Sequence, residues 1–161
     1  MTVEEYNRAV DAHADHVYRF VLKNLKDEHM SQDIVQETFE KLWVRLEDVS
    51  GEKVKTYLFT TAYHTMIDCI RKEKRYAGLD SAIPAEESRG SQYSDLAEIL
   101  NEAVSRLPED QRSVVMLRDY EGYSYKEISE ITGLSESQVK VYIYRARVAL
   151  KAYIGHMEHV L

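Results

Sequence analysis

The sequence predicts an all-α protein in which two small helical domains are joined by a flexible linker. Apolar residues recur at three- and four-residue intervals through most of the 161 residues, which is the spacing of one helix face. No segment shows the period-two alternation or the hairpin turn that paired strands need. One of the two prolines lies in a serine-, glycine- and acid-rich stretch where the helical pattern stops. We therefore predict domains over residues 1–76 and 94–161, a linker over 77–93, and a helix-turn-helix in the second domain.

The first half of the chain contains three predicted helices. The first ends near Lys26, the second begins near Ser31, and Gly51 separates the second from the third. The inward faces are predicted, in chain order, to carry Tyr6, Val10, Ala14, Val17, Val21, Leu25; then Ile34, Val35, Phe39, Leu42, Trp43, Leu46; then Leu58, Ala62, Met66, Cys69 and Ile70. Cys69 is the only cysteine, which excludes an intrachain disulfide and a thiolate metal cluster and favours a small buried hydrophobic side chain.

Regular structure is predicted to resume near Ser94 and to form four helices. Pro108 closes the first of them and is predicted to be the first residue of the next, where its missing amide hydrogen costs nothing. Gly122 separates this pair from the last two helices. The inward face of the first helix is predicted to carry Leu96, Ile99, Leu100, Ala103, Val104 and Leu107.

The segment from Tyr123 to Arg147 carries the most specific local signals. Ser124 with Glu127, and Ser135 with Gln138, each form the pattern of a capping box at a helix start. Gly133 stands where the first of these helices must end. The prediction is a helix, a turn of about three residues and a longer second helix, which is the motif that places a recognition helix in the DNA major groove.

The longer helix of this motif has two different faces. Its inward stripe is predicted to consist of Val139, Ile143, Ala146, Leu150 and Tyr153. Its outward face contains no acidic residue and comprises Ser137, Lys140, Val141, Tyr144, Arg145, Arg147 and Lys151. Lysine and arginine in this position suit phosphate oxygens or guanine edges. The alternative is a solvated basic face on an ordinary helical hairpin.

The charge is unevenly distributed. A formal net charge of -7 argues against a protein that coats nucleic acid nonspecifically. Four basic residues nevertheless crowd residues 71–75, and the recognition helix supplies a second basic patch. The middle of the chain is acidic through Glu86, Glu87, Asp95, Glu98, Glu102, Glu109 and Asp110. This pattern favours docking to DNA at two places, with acidic surface left for a protein partner.

Three segments, in the order of the family, resemble parts of bacterial extracytoplasmic-function (ECF) sigma factors. The helix with which these proteins clamp core RNA polymerase is similar to SQDIVQETFEKLW, and their promoter-melting helix is similar to KTYLFTTAYHTMIDCIRKEKR. Their C-terminal promoter-reading domain is similar to LPEDQRSVVMLRDYEGYSYKEISEITGLSESQVKVYIYRARVALK. The resemblance implies an alternative-type sigma factor that binds core RNA polymerase and directs initiation at a subset of promoters.

The resemblance also implies three sets of site residues. Contacts to the minus-thirty-five element of promoter DNA fall on Ser137, Lys140, Val141, Tyr144 and Arg145, with Arg147 on phosphate. Contacts to the minus-ten element fall on Tyr57, Tyr63, His64, Asp68, Arg71, Lys72, Lys74 and Arg75. Contacts to core polymerase fall on Asp33, Gln36, Glu37 and Glu40.

The chemistry of the minus-ten segment agrees with this assignment. The rings of Tyr57, Phe59, Tyr63 and Tyr76 lie close in sequence to lysines and arginines, a mixture that single-stranded DNA favours. The alternative is that these rings form the core. Many relatives carry asparagine at the position of His64, which leaves the base preference there open, and a half-exposed histidine without a role is the alternative.

No metal or cofactor is predicted. His64 and Asp68 are four residues apart on a helix, a spacing compatible with two metal ligands, but no nearby residue completes a shell. An enzyme using His13 and His16 is disfavoured because no glycine-rich phosphate loop, nucleophile elbow or HExxH motif accompanies them. The main alternative function is a helix-turn-helix transcription regulator that acts without being a polymerase subunit.

The sequence also predicts a compartment and a further partner. The N-terminal residues lack the basic and apolar regions of a signal peptide, and no stretch approaches eighteen apolar residues, so we expect a cytoplasmic protein without membrane insertion. The family resemblance adds an anti-sigma factor, membrane-bound or soluble, as a candidate partner.

Overall fold

The computed structural model describes residues 1–77 and 95–160, and all regular elements in these ranges are helical. The chain divides into two compact units, Met1–Ala85 and Glu86–Leu161. The predicted all-α fold is confirmed. The predicted linker lies, except for Ala77, outside the described residues.

Unit 1 is a three-helix arrangement in which every helix packs on the other two. Its helices are α1 (Val3–Leu25), α2 (Glu28–Val44) and α3 (Val54–Ala77). The largest wholly buried side chains include Phe20 of α1 and Phe59 of α3, whose rings meet edge to face at 5.6 Å. The core also contains Val17, Val21, Leu42, Leu58, Ala62 and Met66. Val17 and Val21 of α1 and Leu58, Ala62 and Met66 of α3 lie on the predicted inward faces and are buried. Phe20 was not on the predicted face of α1.

The boundaries of α1 and α2 follow from their caps. Lys26, in the left-handed conformation, ends α1 where the sequence predicts. Asp27 then caps α2 by accepting the amide of Met30 at 3.0 Å, so α2 begins three residues before the predicted start at Ser31. The hydroxyl of Ser31 is buried within the helix and donates to the carbonyl of Asp27.

The prediction that Trp43 points inward is wrong. Trp43 lies in the last turn of α2 and 49% of its surface is exposed. Its ring packs against that of Tyr6 at 5.1 Å, on the rim of the unit. Helical spacing could not detect this, because the core of unit 1 covers α2 only as far as Leu42 and the last turn of the helix extends past it.

Unit 2 contains α4 (Asp95–Ser105), α5 (Glu109–Val115), α6 (Tyr125–Thr132) and α7 (Glu136–Val160). Between α5 and α6 lies a π-helical turn, Met116–Tyr120, which we call the π-turn. α7 packs against α4, α5 and α6 and is the central element of the unit. The core residues are Ala103, Val104, Leu107, Val114, Val115, Met116, Leu117, Ile128, Ile131, Val139, Ile143 and Ala146.

Two expectations for the start of unit 2 are corrected. Leu96 is 67% exposed and Leu100 is also exposed, because α4 is buried only near its end, at Ala103 and Val104. Pro108 is the residue before the first turn of α5 and not its first residue, since its backbone is still extended (ψ 148°). The buried Arg112 of α5 joins the two helices by donating from Nη1 to the carbonyl of Ser105 at 3.0 Å, and burial lowers its pKa.

Candidate nucleic-acid interface

Both predicted capping boxes of the helix-turn-helix are present. At the start of α6, the hydroxyl of Ser124 accepts the amide of Glu127 at 3.1 Å, and the Glu127 carboxylate accepts the amide of Ser124 at 3.0 Å. At the start of α7, Ser135 and Gln138 make the same reciprocal pair at 3.1 and 2.9 Å. Each box satisfies two amides that the helix itself leaves without an acceptor.

The turn between α6 and α7 is held by hydrogen bonds from both backbone and side-chain groups. Gly133 adopts a positive φ of 79° and its amide donates to the carbonyl of Ser129 at 2.9 Å, which ends α6 as predicted. Side chains add two bonds: Ser129 donates from its hydroxyl to the carbonyl of Leu134 at 2.6 Å, and Thr132 accepts the amide of Leu134 at 3.2 Å. The angle between the helices is therefore set by hydrogen bonds within the turn as well as by packing.

The two faces of α7 are distributed as the sequence predicts. Val139, Ile143 and Ala146 are buried, and Leu150 and Tyr153 are partly buried. The outward residues are all exposed, and Tyr144 retains 71% of its surface. These exposed residues are Ser137, Lys140, Val141, Tyr144, Arg145, Arg147 and Lys151. The face combines cations, two apolar side chains and a hydroxyl, which are the groups used on guanine edges, thymine methyls and phosphates.

Two cations of this face have partners outside α7 that the sequence analysis missed. Arg147 donates from Nη2 to Oδ1 of Asp119 in the π-turn at 2.8 Å. Lys140 places its ammonium 5.9 Å from the centre of the Tyr125 ring, and Arg118 approaches the same ring to 4.8 Å. Helical spacing gives no signal for these contacts, since 28 residues separate Asp119 from Arg147.

Unit 1 carries a second basic surface at the end of α3. Arg71, Lys72, Lys74 and Arg75 are all exposed, as is Tyr76. Asp68 and His64 are exposed about one and two turns earlier on the same helix. These side chains are accessible to a strand of nucleic acid.

The aromatic residues of α3 differ in their availability. Phe59 is wholly buried and therefore belongs to the core. Tyr63 retains only 7% of its surface and packs edge to face against His64 at 5.4 Å, so a base contact by Tyr63 would require its ring to turn outward. Tyr57 is partly buried, and Tyr76 is the most exposed of these rings.

The exposed face of α2 is acidic and polar. Asp33, Gln36, Glu37 and Glu40 all lie on it; Gln36 and Glu37 are adjacent, and each is three or four residues from Asp33 and from Glu40. Gln36 donates to the carboxylate of Glu40 at 3.1 Å, and Glu37 forms an ion pair with Lys41 at 3.3 Å. Both partners of that ion pair are about half exposed, so the pair contributes little to stability and can exchange partners.

Within residues 1–77 and 95–160 no three histidine, cysteine, aspartate or glutamate side chains are grouped so that they could hold a metal ion. None of the helices described is long and apolar enough to cross a membrane.

Comparison with known proteins identifies the family. The model of Sigma-70 region 2 matches residues 9–76, and that of Sigma-70 region 4 matches residues 93–150. The ECF RNA polymerase sigma factor SigM of Bacillus subtilis is 31% identical over 157 residues, which cover 94% of each chain. The chain belongs to the ECF family of RNA polymerase sigma factors. The RNA polymerase sigma factor SigV of the same organism is 32% identical over 137 residues, covering 83% of this sigma factor and 81% of SigV.

Solved structures support the fold of the sigma factor. The sigma factor RpoE in complex with the anti-sigma factor NepR from Bartonella quintana matches with a TM-score of 0.82 and 23% identity, over 95% of this chain and 98% of that one. CnrH in complex with the cytosolic domain of CnrY matches with a TM-score of 0.64 and 22% identity, over 94% and 88% of the two chains.

Membership of the family decides between the functions that the sequence left open. The sigma factor binds core RNA polymerase and directs promoter-specific initiation of transcription. Region 2 occupies the half in which an independent regulator would carry its own sensing or dimerisation domain. Sigma factors are non-catalytic regulatory subunits.

Proposed function

We propose that the sigma factor performs initiation through three exposed surfaces. The outward face of α7 reads the minus-thirty-five element as duplex, the exposed side of α3 captures the minus-ten element as single strand, and the polar face of α2 binds core polymerase. The observation that carries the proposal is the composition of the outward face of α7: its seven side chains named above are all exposed and none of them is acidic. Glu136, which is also exposed, precedes this set in the first turn of α7. A surface of this kind is attracted to DNA even though the chain as a whole carries a net charge of -7.

On α7, the groups nearest the helix start are proposed to reach base edges. Lys140 and Arg145 suit the O6 and N7 acceptors of guanine, and Val141 suits the methyl group of thymine. Arg147, two residues after Arg145, is proposed to hold a phosphate. Ser137 and Tyr144 complete this contact set.

On α3, the proposal is capture of bases that have left the stack. Tyr57, His64 and Asp68 face the strand, while Arg71, Lys72, Lys74 and Arg75 hold its backbone. Tyr63 is retained in this set on the condition that its ring turns outward. Unstacking a base costs a few kcal/mol, and base capture together with phosphate contacts offsets part of that cost. The work is therefore differential binding, and we assign the protein no catalytic residue and no cofactor.

The functional domains are proposed to cover residues 1–76 and 94–161, with a linker over 77–93. Support comes from the end of α3 at Ala77, the start of α4 at Asp95, and the family models that match 9–76 and 93–150. Because polymerase and promoter are both intracellular, we place the protein in the cytoplasm.

An anti-sigma factor is proposed as a further partner. Two structural neighbours are described as complexes of a sigma factor with NepR and of CnrH with CnrY. An anti-sigma factor of this protein should reduce transcription by the reconstituted holoenzyme, and excess core polymerase should restore it.

The decisive experiment is transcription with purified core RNA polymerase and a genomic promoter library. We expect initiation at a defined subset of promoters, and failure to initiate at any promoter would contradict the function.

The variants Lys140→Ala and Arg145→Ala should each weaken promoter binding by about 1–3 kcal/mol and relax specificity at one base pair, while binding to core polymerase stays unchanged. Lys151→Ala, the same loss of charge three turns from Lys140, is the matched control and should leave base preference unaltered. Loss of core binding in the first two variants would show that α7 acts structurally.

A further inference from the structure

The π-turn brings two charged side chains next to the helix-turn-helix. π-helical turns are rare and are often found at functional sites. Here the turn is closed by bonds from the amides of Gly122 and Tyr123 to the carbonyls of Arg118 and Leu117, at 3.2 and 3.1 Å. Gly122 makes this closure with a positive φ of 76°. Arg118 is held in place by a bond from its Nη1 to the carbonyl of Tyr123 at 2.9 Å.

Asp119 of this turn fixes the direction of Arg147. The Nη2 to Oδ1 distance is 2.8 Å, and the hydrogen bond to Asp119, followed by the charge of its carboxylate, raises the pKa of Arg147. The two side chains of the ion pair are 49% and 46% exposed, and pairs as exposed as this contribute little to folding stability. A guanidinium carries five N–H donors, so the bond to Asp119 leaves others for a phosphate oxygen.

Tyr125 is a common neighbour of Arg118 in the π-turn and Lys140 in α7. It is the first residue of α6 and is partly buried. The guanidinium of Arg118 lies 4.8 Å from the centre of its ring and the ammonium of Lys140 lies 5.9 Å from it. Both distances are within the range in which a cation is attracted to a ring face. One tyrosine therefore lies beside a cation of the turn before the motif and a cation of the recognition helix.

We propose that Asp119 and Tyr125 are positioning residues for promoter recognition: together they aim Arg147 at a phosphate and Lys140 at a base edge. The inference rests on the proposed reading of duplex DNA by α7. Long side chains lose rotamer freedom when they bind, and side chains already held in the bound direction lose less. Asp119 and Tyr125 reduce this loss for two of the cations that the interface uses.

Simple electrostatics predicts that removing Asp119 changes DNA binding in the opposite direction, which makes the inference testable. Removing a carboxylate near DNA should strengthen binding, because less negative charge then faces the phosphates. If Asp119 positions Arg147, Asp119→Ala should instead weaken binding of the holoenzyme to a promoter with a minus-thirty-five element, by about threefold to tenfold. Glu130→Ala, which removes an exposed carboxylate from α6, is the matched control and should leave binding unchanged or slightly stronger.

A double-mutant cycle separates positioning from a general structural effect. In a chain that already carries Arg147→Ala, Asp119→Ala should cause no further loss, because Asp119 acts through Arg147. Asp119→Asn should keep most of the wild-type affinity, since its amide oxygen still accepts from Nη2. Tyr125→Phe, which keeps the ring beside Lys140, should bind more tightly than Tyr125→Leu.

The outcomes distinguish this inference from the function on which it rests. If Lys140→Ala and Arg147→Ala leave promoter binding by the holoenzyme unchanged, α7 is not the reading element and the proposed function fails. If those two variants weaken binding while Asp119→Ala and Tyr125→Leu do not, only the positioning role is overturned. A loss from Asp119→Ala that is equally large with and without Arg147 also overturns it.

Discussion

Cys69 shows how the environment of one residue sets its chemistry. It lies on α3 and is partly buried. Burial is the main cause of the raised pKa of its thiol, followed by the carboxylate of Glu37; Lys72 opposes them, and Glu73 and Asp68 add smaller effects that raise the pKa. Since only the thiolate is nucleophilic, a raised pKa makes this cysteine less reactive than an ordinary one near neutral pH.

Alkylation by iodoacetamide should therefore depend on folding. An ordinary thiol with a pKa of about 8.5 is roughly one quarter ionised at pH 8, and the folded protein should react more slowly than the chain in urea. The pH profile of the rate should also have its midpoint at higher pH in the folded protein, which a purely steric barrier would not produce. Cys69→Ser is the control and should not be labelled, because the chain has no other cysteine.

The contribution of the Cys69 thiol to folding stability changes with pH in a definite direction. Its pKa is higher in the folded than in the unfolded chain, so the contribution is fully present below the unfolded pKa and is lost as pH rises through the folded pKa. If the pH profiles of the alkylation rate are identical with and without urea, the fold does not perturb the pKa of the Cys69 thiol.

Asp33 and Gln36 test the polymerase surface at the level of single residues. Both are exposed on α2, so substitutions there should not disturb the core. Asp33→Arg reverses a charge on the face of α2 that is proposed to bind core polymerase, and Gln36→Ala removes an amide that donates to Glu40. The double variant should lose core polymerase in a pull-down assay while its thermal unfolding is unchanged. Glu4→Arg, an exposed charge reversal on α1, is the control; undiminished capture of polymerase by the double variant would contradict the assignment.

Among the helices, the sequence was most informative where the signal is local. The capping boxes at Ser124 and Ser135 and the turn at Gly133 depend on residues within five positions of one another, and the structure has all three. The inward stripe of α7 is similarly confirmed, because its 3.6-residue period is complete within the helix. Local chemistry and periodicity are sufficient for such features.

What the sequence could not predict depends on how far each helix is covered by others. Trp43 and Leu96 continue an apolar pattern beyond the end of the core, so their spacing is correct while their burial is not. The contacts of Asp119 and Tyr125 with α7 depend on the π-turn, which has no sequence signature comparable to a capping box. The predicted start of α2 is three residues late because serine and aspartate are both acceptable caps. In the structure Asp27 is the cap, and Ser31 lies within the helix.

The basic end of α3 makes a prediction for promoter melting. Arg71, Lys72, Lys74 and Arg75 are exposed on the last turns of the helix, where they can hold a single strand only after the duplex has opened. Replacing Arg71 and Arg75 with alanine should impair open-complex formation while leaving core binding intact. Permanganate reactivity of unpaired thymines near the start site measures this. Arg8→Ala with Arg19→Ala on α1 is the charge-matched control, and wild-type reactivity in the α3 variant would count against its role in melting.

The division of the molecule into two units, each with its own core, makes a prediction for its unfolding. Phe20 is wholly buried in unit 1, where it meets Phe59, and Ile143 is buried in unit 2 on the inward face of α7. Replacing either by alanine leaves a cavity and should cost about 2–5 kcal/mol of stability. If the units fold independently, each substitution should destabilise only the unit that contains it.

Amide hydrogen exchange of the full-length chain can measure this directly. Phe20→Ala should lower protection in α1, α2 and α3 and leave α5, α6 and α7 as they are, whereas Ile143→Ala should do the reverse. Phe20→Leu, which leaves a smaller cavity, is the matched control and should produce the same pattern with a smaller loss. Equal losses in both units from either substitution would mean that the chain unfolds as one cooperative body. Independent units would allow the DNA-binding surface of each unit to engage the promoter without disturbing the packing of the other unit.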